Sequence, residues 1–113
     1  MNRPYAHFAP WFERRTILHP HGSLDYRVAP GGTAEIVDVN VDGWRQRQGI
    51  GSELLAQMLE ELPADVAVVY AFTKASNALA QAWYKNRGFQ LTLVPAFYAD
   101  GEGAYCCVLR KRR

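Results

Sequence analysis

One passage constrains this chain more than any other. Ile36, Val37, Val39 and Val41 make an apolar run that reads as a strand. Asp42-Gly43 turns the chain, and Gln46-Arg47-Gln48-Gly49-Ile50-Gly51-Ser52 then opens a helix. Glycine lets backbone N–H groups come close to a ligand. The first N–H groups of a helix have no internal partner and carry partial positive charge. A strand, a glycine turn and a helix start with an arginine nearby form a phosphate-binding device. A tight strand-to-helix connection accounts for the glycines equally well. The G-x-G-x-x-G fingerprint is not completed, because position 54 is Leu, and no Gly-Lys-Ser/Thr follows.

Downstream, Ile50, Leu54, Leu55, Met58, Leu59 and Leu62 recur at helical spacing, with Glu53, Gln57, Glu60 and Glu61 outside them. Pro63 closes this helix, because the residue before a proline disfavours helical geometry. Val66–Phe72 is apolar throughout and suits an inner strand covered on both faces. Ser76 is placed to cap a second helix over Asn77 to about Arg87, and Gly88 sits just past its end. Leu79, Ala82 and Trp83 form one apolar face of it, beside Asn77, Gln81 and Tyr84. Phe89–Leu93 and Tyr105–Leu109 alternate as two further strands, joined by residues 95–103.

Upstream, Ser23–Ala29 alternates like a half-buried strand, Pro30-Gly31-Gly32 turns it, and Thr33–Val41 returns as a hairpin. Simple alternation puts Glu35, Val37, Val39 and Val41 on one face of that strand and Ile36 and Asp38 on the other. A carboxylate there is either a solvated edge or a group aimed into a cleft. Arg14 to Leu18 reads as a short strand, and His19-Pro20-His21-Gly22 as a turn rather than a metal site. Residues 1–12 are rich in aromatics and proline. Strands followed by alternating helices and strands indicate an α/β or α+β fold with a mixed sheet.

With 113 residues the chain makes one small domain. A net charge of +2, much of it in Arg110-Lys111-Arg112-Arg113, does not argue for a nucleic-acid surface. Cys106 and Cys107 are adjacent, so on a strand they point apart and do not bridge, which fits a reducing cytoplasm. No zinc spacing, signal peptide or membrane-length apolar run is present. Apolar strands near the C-terminus permit a homodimer through a sheet edge.

Gln46-x-x-Gly49-x-Gly51, with Val41 five residues before the glutamine, resembles the acetyl-CoA pyrophosphate loop of the GCN5-related N-acetyltransferase (GNAT) family. Asn77, Ala80, Tyr84 and the closing Gly88-Phe89 are similar to that family's later motif. The likeness covers roughly Ser23 to Leu109, and residues 1–18 stand where the family usually has a longer acceptor wall. It implies a mixed, mostly antiparallel sheet with flanking helices and splayed central strands. It also implies an N-acetyltransferase with acetyl-CoA as donor, no metal, and an amine acceptor on a protein or a small molecule.

By the same resemblance, Val39, Asn40 and Val41 offer backbone groups to the acetyl carbonyl and the pantetheine amides. Gln46 opens the loop, and Arg47, Gln48, Gly49, Ile50, Gly51 and Ser52 cradle the pyrophosphate. Asn77 bonds the pantetheine arm, and Tyr84 sits near the thioester sulfur. A fixed N–H at the central strand can stabilise the oxygen that becomes negative as the amine attacks. Tyr84, with an ordinary pKa of about 10, can protonate the leaving thiolate; its other reading is a packing tyrosine. The attacking amine must be neutral, yet a free lysine amine has a pKa of about 10.4. Some relatives carry a glutamate where this chain has Phe72, so Asp38 and Glu35 are the remaining candidate bases. The missing glutamate leaves a non-catalytic acyl-CoA-binding module as the alternative.

Overall fold

The computed structural model describes residues 13–43 and 49–111. The aromatic segment 1–12, the residues 44–48 that include Gln46, Arg47 and Gln48, and Arg112-Arg113 lie outside the described residues. The elements run β1 (Glu13–His19), β2 (Gly22–Ala29), β3 (Thr33–Val41), α1 (Ile50–Glu61), β4 (Val68–Lys74), α2 (Ala78–Asn86), β5 (Gln90–Val94) and β6 (Ala104–Arg110). The strands form one sheet in the order β1-β2-β3-β4-β6-β5. Every neighbouring pair is antiparallel except β3 and β4, which α1 connects as a parallel crossover. This is the mixed, mostly antiparallel sheet with flanking helices that the resemblance implies.

The two inner strands part company early. β3 and β4 pair only through Thr33–Val68, Ala34–Val69 and Glu35–Tyr70. Beyond that, β3 stays with β2 as far as Val41, and β4 stays with β6 as far as Lys74. The sheet therefore splits into two three-stranded halves that diverge toward the C-terminal ends of β3 and β4. The register of β2 and β3 locates a local cause. Asp25 faces Asp38 but Tyr26 faces Ile36, which leaves Val37 as an extra residue. Such a β-bulge bends its strand and sharpens its twist.

The bulge also overturns the simple alternation. Ala34 and Ile36 lie opposite Val28 and Tyr26, and after the extra residue it is Val39 that lies opposite the buried Leu24. Glu35, Asp38 and Asn40 consequently share the other face, opposite Arg27, Asp25 and Ser23.

α1 presses Ile50, Leu54, Leu55 and Met58 into a core with Ile17, Leu24, Tyr26 and Ile36. Full burial of side chains of this size contributes about 1.5–3 kcal/mol each. The helix ends at Leu62, which is extended ahead of Pro63; the Leu62 N–H still bonds Met58 O. β4 begins two residues later than its apolar run does: Val66 is buried ahead of the strand, its N–H bonded to Pro63 O. α2 fully buries only Tyr84; of the expected face Leu79, 87% exposed, and Ala82 do not pack, whereas Trp83 is half-buried against the core. At the C-terminus Arg110 pairs with Val68 and the Lys111 N–H bonds Ala67 O, so the basic run begins inside the sheet. Among the described residues, no helix is long and apolar enough to cross a membrane.

Candidate active site

The gap between β3 and β4 opens at the ends of the two strands that feed α1 and α2. Asp42 N–H donates to His21 O at 2.9 Å. Alternation along an antiparallel ladder then makes Asn40 and Asp38 the residues bonded to β2. The N–H and C=O of Val39 are turned instead toward the side that β4 has left. The Val39 and Val41 side chains pack against the core, while Asn40 and Asp38 are exposed on the outer face.

At the mouth of the gap, Gly49 caps α1 in the left-handed conformation, φ +78°, with open space where a Cβ would stand. Among the described residues no side chain caps this helix, and its first internal bond runs from Glu53 N–H to Gly49 O at 3.0 Å. The first-turn amides thus keep the donor character that an anion needs. Ile50 turns its side chain into the core, and Ser52 is exposed. Gly51 has a steric reason to be glycine: a Cβ there would lie 2.9 Å from Nε1 of Trp83 on α2. Arg87, at the C-terminal cap of α2, stacks on that indole and donates to Ser52 Oγ at 2.9 Å. The sequence reading left Trp83 as an apolar face and Arg87 as a helix end. Their four-residue spacing, one turn of helix, is the signal that links them.

Tyr84 follows the indole directly. Its ring meets Trp83 and Phe89 edge-on, each at 5.0 Å between centroids. Burial pushes the phenol well above its ordinary pKa, and the charges of Cys107 and Asp38 push it further the same way. Asp38 on β3 therefore acts electrostatically on Tyr84, which α2 carries. Glu35 is placed otherwise. It is 1% exposed and takes a 2.8 Å bond from Arg27 Nη2, so its carboxylate is held in a buried ion pair. On the facing wall, Phe72 stacks on Phe97 at 4.6 Å.

Asn77 corrects the expected cap. Asn77, not Ser76, caps α2, its Oδ1 accepting from Ala80 N at 3.1 Å. Ser76 N–H is instead taken by Glu102 Oε2 at 2.8 Å, tying residues 95–103 to the start of α2. With Oδ1 occupied, the Asn77 side chain keeps its NH2 donors for a ligand carbonyl.

The histidines meet carboxylates that lie far away in sequence: His19 Nε2 is 3.6 Å from Glu53 and His21 Nδ1 is 3.5 Å from Asp42. No group of three or more metal-ligating side chains occurs among the described residues. Cys106 and Cys107 are free thiols.

Residues 5–89 match the model of the acetyltransferase (GNAT) family. A ribosomal protein bS18-alanine N-acetyltransferase of Escherichia coli K12 is 30% identical in an alignment that covers 87% of this chain and 77% of that protein. The crystal structure of the ribosomal-protein-S18-alanine N-acetyltransferase from Escherichia coli superposes with a TM-score of 0.69 at 28% identity, over 89% of this chain and 70% of that one. Ard1 from Thermoplasma volcanium superposes with a TM-score of 0.72 at 25% identity, over 82% of this chain and 64% of its own length.

Proposed function

The chain belongs to the acetyltransferase (GNAT) family of N-acetyltransferases, and from that premise we propose that it moves an acetyl group from acetyl-CoA to a primary amine inside the gap between β3 and β4. The observation that carries this reading is the split of the sheet beyond Glu35 and Tyr70, with the uncapped N-terminus of α1 at its mouth. Acetyl-CoA supplies the activated acyl group when bound. The amides of Gly49 to Ser52 hold its diphosphate, and the Asn77 NH2 takes a carbonyl of its arm. Val39 N–H faces the acyl oxygen, where negative charge grows as the amine attacks.

Tyr84 gives its proton to the departing thiolate. Burial favours the neutral phenol, so the donor form persists at every physiological pH. Asp38 takes the proton from the amine, directly or through water, from the exposed face of β3. Glu35 is left out of the proton transfers, since its charge balances Arg27. The relative that is 30% identical is named for an alanine of a ribosomal protein. A peptide α-amine is accordingly the first acceptor class to test, ahead of lysine side chains and small amines. The free thiols fit a cytoplasmic setting for this chemistry.

The experiment combines CoA binding by calorimetry with thiol release from acetyl-CoA over a panel of alanine-first peptides, lysine peptides and polyamines. Binding together with amine-dependent thiol release is expected. Binding without release across the panel favours the acyl-CoA-binding module, for which the Phe72–Phe97 stack in place of a carboxylate is the supporting observation. Absence of binding overturns both.

A further inference from the structure

Two side chains of α2 that the acetyl-transfer reading does not use converge on the first turn of α1. The Arg87 guanidinium lies 4.0 Å from the centroid of the Trp83 ring. Its Nη1 donates to the Trp83 carbonyl at 3.0 Å, and its Nη2 donates to Ser52 Oγ at 2.9 Å. Its Nε is buried without an acceptor. Among the described residues no carboxylate pairs with it, and most donors of the fork stay unused.

The position of this cation is unusual. Ser52 belongs to the first turn of α1, where the helix carries partial positive charge. A guanidinium brought there meets a field of its own sign. The Trp83 carbonyl, at the C-terminal end of α2, offsets only one side of it. Burial already pushes the guanidinium below its ordinary pKa. Trp83 adds to the same spot. Its Nε1 is the atom nearest to where a Gly51 Cβ would stand, and the indole N–H has no acceptor among the described residues. Amides, indole N–H and guanidinium thus crowd one turn of helix, while the acidic side chain of that turn, Glu53, lies 3.6 Å from His19 Nε2 instead. A phosphate bound there would offset this positive charge and could accept from these donors.

We infer that Arg87 and Trp83 are phosphate-binding residues of the donor site, selecting acyl thioesters whose arm ends in a phosphorylated nucleotide. Resting on the donor site proposed above, this adds to it a second wall supplied by α2. It also gives the indole laid over Gly51 a role beyond its packing against the core.

The test measures CoA affinity by calorimetry at low and high salt for the wild type, Arg87→Gln, Arg87→Lys and Trp83→Phe, with melting temperatures recorded alongside. Arg87→Gln is expected to weaken CoA about tenfold or more, since a charge-assisted bond to phosphate is lost. Its affinity should depend less on salt than that of the wild type, because one screened attraction is gone. Arg87→Lys is expected to fall between, keeping the charge without the fork. Trp83→Phe, which keeps an aromatic ring for the guanidinium but no N–H, should weaken CoA by a smaller factor.

Wild-type affinity in Arg87→Gln overturns the inference alone. So does lost affinity with an unchanged salt dependence, which marks Arg87 as a strap between the two helices. If the wild type itself does not bind CoA, the donor site beneath the inference fails with it.

Discussion

The indole of Trp83 stands over Gly51 so closely that a Cβ at position 51 would lie 2.9 Å from Nε1 and 3.1 Å from Cζ2. The ring cannot yield freely, because the Arg87 guanidinium is stacked on it. Gly51→Ala should therefore push α2 off the first turn of α1, at about 1–3 kcal/mol of stability as other overpacked sites lose. CoA affinity should fall with it. Gly49→Ala makes the contrast. Nothing crowds position 49, but its φ of +78° strains any side chain, by about 1–2 kcal/mol. Chemical denaturation of both variants, with CoA titrations, separates a steric from a conformational need for glycine. Equal stability of Gly51→Ala and the wild type would mean that the indole is not fixed there.

Tyr84→Phe isolates the proposed proton donor. The ring stays packed between Trp83 and Phe89, so the fold and CoA affinity should hold. Turnover should drop by about a hundredfold or more, the usual worth of a positioned general acid. The pH dependence has a definite sign. The folded phenol binds its proton more tightly than the unfolded one, chiefly through burial. Its stabilising share is complete below the ordinary value of about 10 and is lost as pH climbs from there toward the folded value. Part of the alkaline loss of stability should thus vanish in Tyr84→Phe. Unaltered turnover would return Tyr84 to a packing role.

Asp38 and Glu35 should respond oppositely to loss of charge. Glu35→Gln removes the carboxylate charge that lies 2.8 Å from the mostly buried Arg27 guanidinium. Breaking a buried pair in this way costs about 3–5 kcal/mol. Asp38→Asn removes an exposed carboxylate and should leave stability almost untouched. Its effect belongs in the rate, most strongly toward low pH where the attacking amine is already protonated. Rate profiles and melting curves of the two variants check the assignment. A stable Glu35→Gln variant with lost turnover would exchange the two roles.

The limits of sequence reading in this chain are physical ones. Helical and alternating periods located both helices and the strands, because burial is what those periods record. They could not expose the extra residue at Val37, since a bulge changes the phase without changing residue type. Glu35 and Asp38 therefore seemed to lie on opposite faces, and the outer face they share emerged only from register. The run at Val66–Phe72 carries no phase at all, so the start of β4 slipped by two residues. Ser76 and Asn77 are both good caps; Glu102, distant in sequence, takes the Ser76 N–H and leaves the cap to Asn77. The Gly49 turn and Tyr84 were legible from motif spacing. Trp83 and Arg87 were not, because a stripe of apolar positions says what packs and not what it packs against.

The two thiols give a test of the core that is independent of any ligand. Cys107 is fully buried on β6, and burial pushes its thiol up to about 11. Cys106 beside it faces the other side of the sheet, is half-buried, and is raised for the same reason. At pH 8 a thiol with a pKa of about 11 is ionised in only about one molecule in a thousand, and the thiolate is the reactive form. A disulfide reagent should consequently label native Cys107 no faster than the chain unfolds, with Cys106 somewhat ahead, whereas both react at once in denaturant. Because Cys107 and Tyr84 share one buried core, a label on Cys107 should disturb the packing of the phenol. Transferase activity should then decline with the slow labelling phase and not with the first. Two thiols reacting within the mixing time in the folded protein would show that β6 is not packed beneath α2, and the buried proton donor would have no basis.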